Sequence, residues 1–369
     1  MRIDRVRIVT VPLQLVAPLR TSKGDHTVRT ATLVEITADD GTVGWGENVA
    51  PEDGFYTGET AALSRAFMRD VLIPGLVDDD PDDFDDDLDD DSAPMPMAEH
   101  AVSSALADIE ARQRGLSLAA AVGRGDVRSV RVGAVVGMHD SVDSVVSEAM
   151  LRVAEGYTRV KLKIAPGRDV DVVAAVRAAL PAQVELHVDA NGSYTEADIA
   201  HLAFLDAHGV GLVEQPFAPH DLASHALLSR SIATPVCLDE SVGTVMDAIN
   251  AIASAACSVI NVKPSRVGGF HQATAILRLC AENGVGAWVG GMLESGVGRA
   301  GCLALATHAA CTMTPDLSAS SRYFVRDLTE PFVLTDGCLA VPAGPGIGVE
   351  PLPSVLADPA VTIETVFER

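Results

Sequence analysis

The sequence predicts an α/β protein: a (β/α)8-type barrel with an N-terminal α+β capping domain that the C-terminal tail completes. Three observations lead there. First, apolar strand-like runs carry charged residues at or near their ends: RVKLKI (Lys161, Lys163), VELHVDAN (Asp189, Asn191), GLVEQP (Glu214), TPVCLDES (Asp239, Glu240) and SVINVKPSRVGG (Lys263, Arg266). Second, the steps from Asp189 to Glu214, to Asp239 and to Lys263 are 25, 25 and 24 residues. That is one strand, one helix and two connections, so each charge falls at the same point of successive βα units. Third, 369 residues suit a barrel of about 250 residues plus a second domain. Such a barrel gathers these points on the rim at the C-terminal ends of its strands.

Taken in order, residues 2–50 read as antiparallel strands with an Asp-Asp-Gly turn in ATLVEITADDGTVGWGE. The polar segment APLRTSKGDHTVR between them reads equally as a mobile lid or a plain surface connection. Helical spacing recurs over Glu59–Leu76 and Met97–Arg114, and Gly115–Gly125 leads out of a domain spanning 1–125. The barrel, 126–319, starts with a strand at 129–138. Strands at 159–164, 184–190, 211–215, 235–238, 258–262 and 285–289 follow, each trailed by a helix. The best candidate for an eighth strand is MTPDL, 313–317. The tail, 320–369, is rich in Pro and Gly, with strand-like FVLTDG and CLAVPAG, and is expected to pack on the capping domain.

Composition narrows the function. With 48% apolar and 21% charged residues the chain is ordinary globular protein, and its formal charge of −24 disfavours nucleic-acid or anionic-membrane partners. Eleven aspartates between Asp78 and Asp91 read as a solvated surface, lacking the spacing of a calcium loop. Six scattered cysteines have no zinc or CxxC spacing, and no run has signal-peptide or membrane-span form, so a cytoplasmic protein is expected.

Lys161 and Lys163 alternate with Leu162 and Ile164, so both point one way, into the barrel. Mutual repulsion and desolvation would lower a lysine pKa towards that of a general base. Asp189, Glu214 and Asp239 would repel one another at one rim unless a hard divalent cation, Mg2+ or Mn2+, sat between them. A single such carboxylate would more simply cap a helix; three at one phase favour metal. Lys263 closes the ring opposite Lys163, so the two address both faces of one carbon. The implied chemistry is removal of a proton α to a carboxylate. His187, Trp45 and Trp288 read as interior packing, and Gly268-Gly269 as a helix start or a phosphate cradle.

These residues carry a resemblance. With VAPLRTS near the start, GWGE at 44–47, VKLK at 160–163, VDAN at 188–191, EQP at 214–216, CLDES at 237–241, NVKPSRVGG at 261–269, GGMLESGVGRA at 290–300 and LTEPFVL at 328–334, the chain resembles the enolase superfamily, muconate-lactonizing subgroup. It is most similar to o-succinylbenzoate synthases and their N-acylamino acid racemase relatives. The resemblance implies that Asp189, Glu214 and Asp239 bind Mg2+. Lys163 would be the base on one face, Lys161 would tune it and hold the substrate carboxylate, and Lys263 would act by charge or as acid/base on the other face. Asn191 and Glu240 would lie beside the ligands. Gly291, Met292 and Glu294 would border the substrate, with GGM offering backbone amides. Arg266 resembles the branch in which both activities occur together. APLRTSKGD and GFY at 54–56 would close over substrate, and Lys23 and Val135 depart from the pattern.

The leading expectation is an o-succinylbenzoate synthase of menaquinone biosynthesis, performing a syn dehydration. The alternative is an N-succinylamino acid racemase, or both activities in one protein; a dipeptide epimerase or muconate cycloisomerase ranks lower. A Schiff-base aldolase would tolerate chelator, and a non-catalytic relative would have shed its costly buried charges. The expected partner is a small-molecule carboxylate, and self-association into a homo-oligomer is in keeping with such barrels.

Overall fold

The structure, a computed structural model, describes residues 1–21, 24–54, 56–78 and 94–369. Lys23, Phe55 of GFY and the acidic run beyond Asp78 lie outside the described residues. The chain opens with β1 (Ile3–Thr21), β2 (Gly24–Ala38) and β3 (Val43–Asn48), then α1 (Ala61–Phe67), α2 (Ile73–Asp78), α3 (Pro96–Gln113) and α4 (Leu118–Val122). Next come β4 (Ser129–Arg131), β5 (Ala134–Val136), α5 (Val142–Ala154), β6 (Arg159–Lys163), α6 (Val170–Ala179), β7 (Glu185–Asp189) and α7 (Ile199–Leu202). The alternation continues through β8 (Val213–Glu214), α8 (Leu222–Ser231), β9 (Val236–Leu238), α9 (Val245–Ala253), β10 (Val259–Val262), α10 (Phe270–Glu282), β11 (Gly286–Val289) and α11 (Gly296–Ala306). The tail adds β12 (Cys338–Ala340), α12 (Pro353–Leu356) and β13 (Thr362–Glu368).

Strands β5 to β11 form one parallel sheet in sequence order. Their side chains alternate as the pleat requires. Val160, Leu162, Leu186, Val188, Val213, Val236 and Ile260 are buried on the helix side, which is why these strands read as apolar runs. The opposite parity, Lys161, Lys163, His187, Asp189, Glu214, Cys237 and Asn261, takes the inner side. Residues 312–318 bridge the two edges: Thr312 donates to the Ala287 carbonyl (2.9 Å) and Gly133 donates to that of Pro315 (2.8 Å). MTPDL therefore stands where an eighth strand would, held by irregular backbone contacts.

Two strand boundaries differ from expectation. The run 129–138 breaks at Gly133, where a Cβ would lie 2.4 Å from the buried Arg159 guanidinium. Its first half, β4, pairs antiparallel with β12 rather than with the barrel. The described residues of APLRTSKGDHTVR are strand rather than loop: β1 reaches Thr21 and β2 starts at Gly24, the two paired as an arm that is irregular between Gln14 and Leu19. The arm is tied down by Val16 N–H to the Tyr323 carbonyl and Val325 N–H to that of Gln14. In the tail, FVLTDG forms no strand, whereas TIETVFE does: β13 pairs with β1 and extends the capping sheet to the order β13-β1-β2-β3. Helix α3 lies on that sheet so closely that a Cβ at Gly46 would be 1.9 Å from the Ala101 carbonyl. No described helix is long and apolar enough to cross a membrane.

Candidate active site

Strand register assembles the expected residues. Lys163 on β6 is opposite Asp189 on β7, and Asp189 is opposite Glu214 on β8. Asp239 follows β9 directly and Lys263 follows β10 directly. Along the rim the order is therefore Lys163, Asp189, Glu214, Asp239, Lys263: three buried carboxylates with a lysine at each end. The turns after the strands are tight, with positive φ at Asn191 (43°) and Gln215 (39°). Gln215 ties neighbouring turns together, since its Oε1 accepts from Asp239 N–H (2.9 Å) and Ser241 N–H (3.1 Å).

Each cation has its own surroundings. Lys161 Nζ donates to Glu214 Oε2 (2.6 Å), pairs with Asp316, lies 3.3 Å from Asp189 and sits 4.8 Å from the Trp288 ring centre. Lys163 Nζ donates to Asp189 Oδ2 (2.7 Å) and Asn191 Oδ1 (2.6 Å), while Asn191 Nδ2 donates to Glu240 Oε1 (2.8 Å). Its side chain is 32% exposed and borders a cavity of about 510 Å3 shared with His139, Arg168 and Phe204. Lys263 Nζ is buried, donating to Asp239 Oδ2 (2.8 Å) and the Tyr56 hydroxyl (3.0 Å). Arg266 also pairs with Asp239, and donates to Tyr56 (3.1 Å) and to the carbonyls of Val242 and Asn261. Val135 faces Lys161 in register.

The protonation balance corrects the expectation of lowered lysine pKa values. Burial alone would depress Lys161, but Asp316, Glu214 and Asp189 outweigh it and hold the ammonium well above its ordinary value. Lys263 is likewise raised, burial being outweighed chiefly by Asp239. Burial works against Asp239 too, yet Lys263 and Arg266 keep it below the usual carboxylate range. Glu214 goes the other way, pushed up to about 8 by burial and then by Asp189. Burial and Asp239 also raise Glu240.

As they stand, no three His, Cys, Asp or Glu side chains among the described residues converge closely enough to chelate an ion, because the carboxylates face the ammonium groups. The donor chemistry still fits a hard divalent cation. Three all-oxygen donors come from adjacent strand ends, and burial together with neighbouring carboxylates raises both Glu214 and Glu240, the second cause being a surplus of negative charge that a cation would relieve.

Some contributions escaped the sequence reading. Asp316, in the irregular segment, pairs with both Lys161 and the fully buried Arg159, which stacks 5.0 Å over Trp288. Asn261 Nδ2 donates to Glu214 Oε1 (2.7 Å), and its orphaned Oδ1 requires Gly290, where a Cβ would lie 2.2 Å away. Tyr56, in the GFY segment expected to close over substrate, reaches the Lys263 end from the capping domain. In GGMLES, Glu294 turns into the protein: its Oε1 accepts from Met292 N–H (2.6 Å) and its Oε2 pairs with Arg299 (3.1 Å). Gly269 abuts Ser103 of α3, so Gly268-Gly269 serves a helix start and a close packing contact.

Comparison with known proteins places the chain in a family. A family model described as enolase C-terminal domain-like matches residues 144–355, and one for the mandelate racemase / muconate lactonizing enzyme N-terminal domain matches residues 3–123. The chain is 41% identical over 359 residues to an N-succinylamino acid racemase of an Amycolatopsis species, covering 96% of this chain and 97% of that protein. It is 39% identical over 351 residues to an o-succinylbenzoate synthase of Geobacillus kaustophilus, covering 94% and 93%. A solved structure from Enterococcus faecalis, described as an unknown member of the enolase superfamily, superposes with a TM-score of 0.91 at 36% identity over 100% of both chains.

Proposed function

The chain belongs to the enolase superfamily, in its muconate-lactonizing subgroup, and within it we propose that this enzyme is an N-succinylamino acid racemase. The observation that carries the reading is the symmetric rim, with a lysine at each end of one row of carboxylates. The racemase from Amycolatopsis, at 41% identity, supports it and reverses the order of preference drawn from the motifs.

In this reading Lys161, fixed by Glu214 and Asp316, holds the substrate carboxylate. A divalent cation held by Asp189, Glu214 and Asp239 would supply positive charge to that carboxylate as the α carbon is deprotonated. Lys163 takes the α proton from one face, and the Lys263 ammonium returns a proton to the other. For the mirror-image substrate the two exchange roles, which requires Asp239 to give up its hold on the Lys263 ammonium as it would on taking the cation, and no net proton is consumed.

A second reading, the o-succinylbenzoate synthase, is favoured by the clamp of Asp239 and Tyr56 on Lys263, which suits a fixed cation. Lys163 would then remove the α proton and pass it to the departing β-hydroxyl. The test is a steady-state assay with Mg2+ on two substrates. N-succinyl-phenylglycine is followed by optical rotation, and the cyclohexadiene carboxylate precursor of o-succinylbenzoate by diene absorbance. Fast racemisation supports the proposal; fast dehydration with slow racemisation replaces it with the second reading.

A further inference from the structure

We infer that Glu47 and Arg29 of the capping sheet are positioning residues for the loop Gly290–Ser295, and so set substrate affinity from outside the barrel. The inference rests on the reading above in one respect, that this loop borders the substrate. Glu47, at the end of GWGE on β3, is 1% exposed. Its carboxylate crosses to the barrel and accepts from Ser295 N–H (3.0 and 3.1 Å), Ser295 Oγ (2.6 Å) and Gly298 N–H (2.9 Å). These are donors of the first turn of α11, an 11-residue helix, so a buried anion satisfies groups that the helix itself leaves unpaired.

Arg29 on β2 supplies the countercharge, with Nη2 3.4 Å from Glu47 Oε1. It also grips the loop, its Nε donating to the Leu293 carbonyl (2.9 Å). Leu293 has φ 68°, a left-handed conformation that a non-glycine residue adopts only when its surroundings hold it there. The approach is built into the sequence of the helix: a Cβ at Gly298 would lie 2.9 Å from Glu47 Oε2. The loop in turn carries Met292, which packs against the buried cluster of Val49, Ala50 and Met97; Tyr56 packs against the same cluster and touches Lys263. One buried ion pair in the capping sheet therefore fixes the strained loop whose Met292 shares a core cluster with the phenol over Lys263.

The test uses the 369-residue protein with Mg2+ and the variants Glu47→Gln and Arg29→Met, the second removing the grip on Leu293 and the countercharge while keeping the Ser295 and Gly298 donors on Glu47. Amide hydrogen exchange is read over residues 290–298, and kcat and KM are read separately on N-succinyl-phenylglycine. The inference expects exchange in this loop to quicken about tenfold or more in both variants while β7 to β9 stay protected. It expects KM to rise about tenfold with kcat within about threefold. Unchanged exchange in the loop, or a fall in kcat at constant KM, overturns it. If the wild-type protein fails to racemise the substrate, the proposed activity falls, while loop exchange still judges the positioning role.

Discussion

The two ends of the carboxylate row carry the same kind of pair, a lysine on an aspartate, in different settings. At the β6 end, Lys163 is a third exposed and borders an open cavity. At the β10 end, Lys263 is buried beneath Tyr56 and flanked by Arg266, so the capping domain closes that side. Chemical symmetry thus coexists with unequal access to solvent. A proton held on Lys163 can exchange with water directly, whereas one on Lys263 must pass the Tyr56 lid. The difference teaches that the barrel supplies the two lysines and the capping domain distinguishes them, so that in the proposed racemisation they would form an acid–base pair of unequal members.

The largest test removes each end in turn. Lys163→Ala and Lys263→Ala are each expected to lower kcat for racemisation by about 10^3-fold or more with the fold retained, as checked by steady-state kinetics and circular dichroism. Normal turnover by either variant would break the comparison. Next, Asp239→Asn removes a donor from the row and the partner of both Lys263 and Arg266. Calorimetric titration is expected to show Mg2+ affinity weakened by more than the roughly 10- to 100-fold typical of residues that only support a ligand.

A smaller effect isolates the lid. Tyr56→Phe keeps the ring over Lys263 and deletes the hydroxyl bonded to Lys263, Arg266 and Asp239. Turnover is expected to fall about tenfold, with a larger loss for the enantiomer whose proton Lys263 removes; equal loss for both would show that the lid does not distinguish the ends.

The smallest effect concerns how the Lys263 side is anchored. Helix α10, which follows Lys263, meets α3 through Phe270 and the buried His100, whose rings stack edge to face at 5.3 Å. Burial lowers His100 from 6.5 to about 4. The folded protein therefore refuses a proton that the unfolded chain accepts below pH 6.5. Its contribution is complete above that pH and is lost as pH falls towards 4, a change on the order of 3 kcal/mol. Hydrogen exchange at pH 5 is expected to quicken in α10 relative to α6, and His100→Gln is expected to remove that pH dependence.

Much of this was legible because barrel strands obey a period of two. Apolar residues on one parity meet the helices, so a lysine or carboxylate on the other parity stands out, as Lys161, Asp189 and Glu214 do. What stayed hidden depends on tertiary contact. Asp316 lies in a segment without alternation, since residues 312–318 bridge the barrel edges through isolated backbone bonds. The GFY segment is expected over the substrate, but the particular bond of Tyr56 to Lys263, 207 residues away in sequence, has no local signal. Strand β13 has an exposed, weakly alternating sequence whose place is set by its partner β1. The break at Gly133 follows from the bulk of Arg159, which no local pattern announces.

The most direct measurement of the two-sided site is α-hydrogen exchange in D2O, with Mg2+, on each enantiomer of N-succinyl-phenylglycine separately. The account predicts that Lys163→Ala loses exchange from one enantiomer while still exchanging the other, and that Lys263→Ala shows the mirror pattern. Loss of exchange from both enantiomers in Lys163→Ala, with both intact in Lys263→Ala, would contradict it and leave Lys163 as the sole base.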